Sequence, residues 1–219
     1  MLLKRSKLVY TSPLALVTVA ACGGNSSTSQ TYSGNVVNGP LNNALVFLDL
    51  NSNGVLDGVE TSVRTDENGA FSITTNAKNF LLIAITDDTT IDTASGEVYS
   101  GVRLKAPLNA SVITPTTTLM EEGNLTSDQV AAVLGLPDGV DPLSFNPYAD
   151  GVDAAEALAV EKISQQIMTA VSSFASAAEG AGASEAGGFK AALTSVVDVV
   201  KVKAVKLGDA TATAAEKSL

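Results

Sequence analysis

Residues 44–65 read ALVFLDLNSNGVLDGVETSVRT, and the fold of the chain turns on this stretch. Its two ends, Ala44–Leu50 and Ser62–Thr65, are short and rich in β-branched, aromatic and apolar residues, which reads as two strands. Between them lies a polar connection bounded by Asp49 and Glu60, too long for a tight hairpin turn. Working outward, the same short-strand pattern recurs at Gly34–Val37, Ala70–Thr74, Phe80–Thr86, Glu97–Ser100, Val102–Lys105 and Ser111–Ile113. Asn38-Gly39-Pro40, Glu67-Asn68-Gly69 and Ser95-Gly96 are the turn signals between them. Strands at this spacing, with no helical pattern between, predict an antiparallel β-sandwich. Phe80–Ile85 is an unbroken apolar run, which predicts a central strand covered on both faces.

The connection from Asp49 to Glu60 has its own pattern. Oxygen-bearing side chains fall at its positions 1, 3, 5, 9 and 12, with Gly54 at position 6 and Leu56 at position 8. That is the ligand spacing of an EF-hand-type calcium loop. Ca²⁺ is a hard cation that takes about six to eight oxygens. Asp49, Asn51 and Asn53 each offer one side-chain oxygen, Val55 its backbone carbonyl, Asp57 a direct or water-mediated contact, and Glu60 both carboxylate oxygens. The other reading of the spacing is a solvated, Asx-rich connection without metal. Because strands flank the loop, a structural calcium ion is expected to clip a long hairpin connection, not to open a helix pair.

From Pro115 onward the period shifts from two toward 3.6. Thr114 and Pro115 form an N-cap and N1 pair for a short helix to Glu122. Thr126-Ser-Asp-Gln129 fits a capping box for a second, stopped by Gly135-Leu-Pro137. Asp153-Ala-Ala-Glu156 opens a third, with Val160, Ile163, Ile167, Val171 and Phe174 predicted on one stripe and Gly180-Ala-Gly182 ending it. A fourth is predicted over Glu185–Leu207, with Phe189, Leu193, Val196, Val200, Ala204 and Leu207 inward. Its Val-rich half, Val196–Val205, also admits a strand, but the three-and-four spacing favours a helix. Asp209–Leu219 starts another capped helix. The expected class is therefore α+β, an N-terminal antiparallel sandwich followed by an α-helical C-terminal region.

The N-terminus reads as an export signal. Lys4, Arg5 and Lys7 precede the apolar run Leu14–Ala21, which is too short to span a bilayer. Val19-Ala20-Ala21-Cys22 resembles a bacterial lipobox, and Cys22 is the one cysteine of the chain. The resemblance implies cleavage before Cys22 and lipid attached to its sulfur, and so a membrane partner. A plain signal peptide with an incidental cysteine is the alternative. Residues 22–30, rich in Gly, Ser, Thr and Asn, read as a flexible tether. The expected layout is 1–21 signal peptide, 22–30 tether, 31–114 sandwich and 115–219 helical region. With no Asp after Cys22, a resemblance to enterobacterial sorting favours the outer membrane if the cell is Gram-negative.

Without the three basic residues of the signal, 10 Lys and Arg face 23 Asp and Glu. So acidic a surface disfavours nucleic acid, where cationic side chains must replace condensed counterions. The chain holds no histidine, which removes His-based triads and His-ligated zinc. The carboxylate pairs Asp87/Asp88 and Glu121/Glu122 are sequence neighbours and do not face each other. The expectation is therefore a non-enzymatic protein. Asp87-Asp88-Thr-Thr-Ile-Asp92 reads as a polar loop before it reads as a second cation site.

The stretch Gly34–Asp49, the calcium-type loop and Thr65-Asp-Glu-Asn-Gly-Ala-Phe71 together resemble prealbumin-like β-sandwich domains of bacterial surface proteins. The similar families are the B-type repeats of adhesins and carboxypeptidase-regulatory-like domains. Thr86–Leu119, with Ile113-Thr-Pro-Thr-Thr-Thr-Leu119, looks like the continuation of such domains in large secreted bacterial proteins. The resemblance implies a calcium-stabilised stalk or adhesive module and no known ligand. Taken with the lipobox at Cys22, the expectation is a lipid-anchored protein of the bacterial cell envelope acting as an adhesive or spacer module, with a protein or glycan ligand not identified. The rival expectation is a periplasm-facing lipoprotein that recruits a partner protein or glycan through its helices.

Overall fold

The structure, a computed structural model, describes residues 29–208. The signal segment, Cys22, most of the tether and the helix expected from Asp209 lie outside the described residues, as does the side chain of Leu207.

Among the described residues ten strands precede four helices. The strands are β1 (Gln30–Val36), β2 (Leu41–Asn42), β3 (Leu45–Asp49), β4 (Ser62–Arg64), β5 (Ala70–Thr75), β6 (Leu81–Ile85), β7 (Ile91–Asp92), β8 (Glu97–Val98), β9 (Arg103–Pro107) and β10 (Val112–Ile113). They form a four-stranded sheet in the order β4-β3-β6-β9, a three-stranded sheet β10-β1-β5 and a small sheet β2-β7-β8. The pairing is antiparallel apart from β1 with β10, which run parallel with Val36 opposite Ile113. Parallel neighbours need a long crossover, and here most of the sandwich separates the two strands in sequence.

Each strand folds as its pattern dictates. β5 alternates, burying Phe71 and Ile73 and exposing Ser72 and Thr74, so it is wet on one face. β3 and β6 sit inside their sheet and are apolar on both sides. Val46, Leu48, Leu82 and Ala84 join the main core with Val36, Leu41, Leu104 and Ala106. Phe47 and Ile83, opposite each other in register, are fully buried outside that cluster.

α1 (Pro115–Gly123) is capped by Thr114, whose hydroxyl accepts the Thr117 N–H. It then serves the sheet. β9 is an edge strand, and Thr117 Oγ1 donates to Lys105 O at 2.8 Å while Lys105 N donates to Thr118 Oγ1 at 2.9 Å. The helix thus satisfies backbone groups an open edge would leave bare. α2 (Ser127–Leu134) has the expected Thr126/Gln129 capping box and ends on Gly135 at φ 67°. α3 (Ala154–Gly180) is capped by Asp153 and packs against α4 (Glu185–Gly208).

Two helical expectations shift. On α3 the buried stripe is Val160, Ser164, Ile167, Met168, Val171 and Ala175, while Phe174 is 55% exposed. On α4 Val197 is buried and Val196 only half-buried. Met168 reaches the sandwich core and Phe189 touches both cores, so the helices pack directly on the sheets.

Candidate metal centre

The connection between β3 and β4 is built by its own side chains. Asp49 ends β3 and is 1% exposed. Three alternate oxygens each catch the N–H two residues on: Asp49 Oδ1 from Asn51 (3.2 Å), Asn51 Oδ1 from Asn53 (3.0 Å) and Asn53 Oδ1 from Val55 (2.7 Å). These are successive Asx turns, which short polar side chains form readily. Gly54 then donates its N–H to Asp49 Oδ2 at 2.8 Å and folds the loop back on its start. Its φ of 74° is the left-handed region that favours a residue without Cβ. Glu60 closes the far end, accepting from Leu50 N at 2.8 Å through Oε1 and from Asp57 N at 2.9 Å through Oε2.

The side chains of Asn51, Asn53 and Asp57 meet. Both amides donate to Asp57 Oδ2, at 2.8 Å from Asn51 and 2.9 Å from Asn53. Asp49 and Glu60 are tied to loop backbone instead, and Val55 contributes its N–H to an Asx turn. Among the described residues no three His, Cys, Asp or Glu side chains gather into one metal-holding group. The convergent set is one carboxylate and two amides, with two further carboxylates bound to the same loop.

The donor chemistry fits a hard cation. Asp49, Asp57 and Glu60 each accept two hydrogen bonds, and an ionised carboxylate offers about four lone-pair sites. Roughly half of that acceptor capacity is open. A cation has to displace the two amide N–H groups from Asp57, and the Asn51 and Asn53 oxygens each keep a second lone pair.

Among the described residues outside the loop, two acidic groups are held in ion pairs. Asp87 pairs with Arg64 at 2.7 Å, and that guanidinium, with the Thr89 hydroxyl and N–H, pulls its pKa down to about 2. Residues 87–90 lie between β6 and β7, and Asp92 is in β7. Lys105 pairs with Glu122 at 2.6 Å. Within the strand region, Asn38 Nδ2 donates to Tyr99 OH at 2.7 Å. Burial pushes the Tyr99 hydroxyl pKa up, and the nearby Asp92 adds to the shift.

In comparisons with known proteins the chain matches no family model, no curated protein and no solved structure. No described helix is long and apolar enough to cross a membrane.

Proposed function

We propose that the protein is a lipid-anchored cell-envelope protein in which a structural Ca²⁺ steadies the 49–60 loop of a β-sandwich that acts as a spacer or adhesive module. One observation carries the cation: a carboxylate at 1% exposure, Asp49, sits at the head of a loop whose remaining donors are oxygens. A buried carboxylate held only by neutral N–H groups is costly, and a bound cation removes that cost. The lipobox-like Val19–Cys22 supports the anchor, and the acidic composition supports a soluble part held off anionic surfaces. No catalytic role is assigned. Calorimetry with CaCl₂ tests the reading: binding heat in the millimolar range is expected, and its absence refutes it.

A second reading, recruitment of a partner through the helices, is favoured by Leu158, Phe174, Val199 and Val202, which are at least half exposed. A pull-down from native envelopes with and without chelator separates the two. A partner lost on substituting Phe174, and indifferent to chelator, supports recruitment.

A further inference from the structure

We propose that Arg103 is the resident counter-cation of the 49–60 loop and weakens its calcium affinity by competing with the metal; this rests on the cation reading above. Arg103 opens β9, opposite Ile85 of β6, and is half-buried. Its Nη1 lies 3.1 Å from where a Cβ on Gly54 would stand, so the guanidinium rests on the bare Cα of loop position 6. Gly54 N is 2.8 Å from Asp49 Oδ2. Standard bond lengths put an amide N about 2.5 Å from its own Cβ, so Nη1 lies within about 8 Å of the Asp49 carboxylate.

Among the described residues Arg103 has no other charged partner. Among the described residues the other cations of this sheet are paired, Arg64 with Asp87 and Lys105 with Glu122, and Arg103 forms no ion pair. A guanidinium carries five N–H donors and stays charged at any physiological pH. Without metal, Arg103 offsets part of the loop's negative charge. A divalent ion entering the loop meets the same positive charge and is repelled. At this separation, in a partly solvated site, removing one charge changes the affinity for a divalent ion about threefold to tenfold.

The test uses the full chain in detergent, with CaCl₂ as the probe in calorimetry. Arg103→Gln is expected to tighten the calcium dissociation constant about threefold to tenfold. Arg103→Lys, which keeps the charge, is expected to leave it within about twofold of wild type, and the Gln effect is expected to shrink toward nothing in 1 M salt, where the Debye length is about 3 Å. In chelator the sign reverses, and Arg103→Gln should melt below wild type because the loop has lost its counter-charge. Binding by Arg103→Gln that is unchanged or weaker overturns the proposal, as does equal tightening by Arg103→Lys. A wild-type chain with no calcium heat overturns the cation reading and this inference with it.

Discussion

Three adjacent threonines of α1 allow the same chemical change to be made three times with three different results. Thr→Val is nearly isosteric and removes only a hydroxyl. Thr117 is fully buried; its Oγ1 donates to Lys105 O at 2.8 Å and accepts from Thr114 N at 2.9 Å. Thr117→Val strands both partners, each at a cost of about 1–3 kcal/mol; Thr118 Oγ1, at 3.4 Å, is a poor substitute donor to Lys105 O. A loss of at least about 2 kcal/mol is expected, or at least about 4 °C in melting temperature for a chain of this size. Thr118 accepts from Lys105 N at 2.9 Å, while its own acceptor, Thr114 O, also takes the Thr118 N–H. One buried group is stranded, and Thr118→Val is expected to cost about 1–2 kcal/mol. Thr116 is different: it is 4% exposed, yet its Oγ1 has no hydrogen-bond partner. It lines a cavity of about 20 Å³ together with Ser164 and Val160 of α3. Thr116→Val removes an unsatisfied polar atom and is expected to be neutral or to stabilise by up to about 1 kcal/mol, the single water this cavity has room for limiting the gain. Urea unfolding of the three variants, with midpoint and slope compared, reads the order. If Thr116→Val destabilises as much as Thr117→Val, the reasoning that α1 stitches the β9 edge through two particular hydroxyls is wrong.

Calcium is expected to bind with a dissociation constant of roughly 10⁻⁴–10⁻³ M, and Glu60→Gln to weaken it most among the loop variants. At ten times that constant, linkage contributes about 1.4 kcal/mol, so chelation should lower the melting midpoint by a few degrees and leave the far-UV dichroism at 20 °C unchanged; a large dichroism change refutes the clip. Cys22→Ala is expected to move the protein out of the membrane fraction or to leave an unprocessed precursor, and a mature species still pelleting with membranes counts against the anchor. For Asp87 the folded pKa, about 2, lies below the ordinary aspartate value of 3.8. Its contribution is therefore present above about pH 4 and lost as the pH falls through 2, and exposure limits it to under about 1 kcal/mol. Asp87→Asn should destabilise slightly at pH 7 and progressively less as the pH falls through 2, and a penalty as large at pH 2 as at pH 7 excludes the ion pair as its source.

Much of the fold could be read from the chain because the strands state their faces. Phe71-Ser-Ile73 alternates, and Phe80–Ile85 does not, and each became the half-wet and the interior strand those patterns imply. The strands not foreseen, β2 and β7, are two residues long and exist only because Leu41 and Asp92 are brought together by the rest of the sandwich. A period cannot be seen in two residues. The parallel β1–β10 pair likewise has no local sign, since a strand's sequence does not encode its neighbour's direction. On α3 the predicted stripe followed side-chain size to Phe174, but the helix angle carries Val171 on to Ala175, and the small residue is the one α4 packs against. Size misled where angle decided.

The loop shows where sequence spacing stops being informative. Oxygens at alternate positions serve an Asx turn and a metal equally well, because both need side chains folded back onto one side of the chain. Asp49, Asn51 and Asn53 form those turns with backbone N–H groups alone. Spacing therefore predicted the loop's closure without separating the two readings. Charge is the ground on which calcium is proposed. An asparagine in place of Asp49 and a glutamine in place of Glu60 would accept from the N–H groups of Gly54 and Leu50 through neutral oxygens and bury no charge. The chain instead places three carboxylates in the loop, one of them almost wholly buried, within a sequence of net charge −10. Such an arrangement is unfavourable for an empty turn and favourable for a hard divalent cation, which is the physical ground for the proposed calcium. Arg103 could not be found this way: it stands on β9, about fifty residues beyond Gly54, level in the sheet with Leu45 and not with Asp49, and strand pairing together with the fold-back of the loop at Gly54 brings the two together.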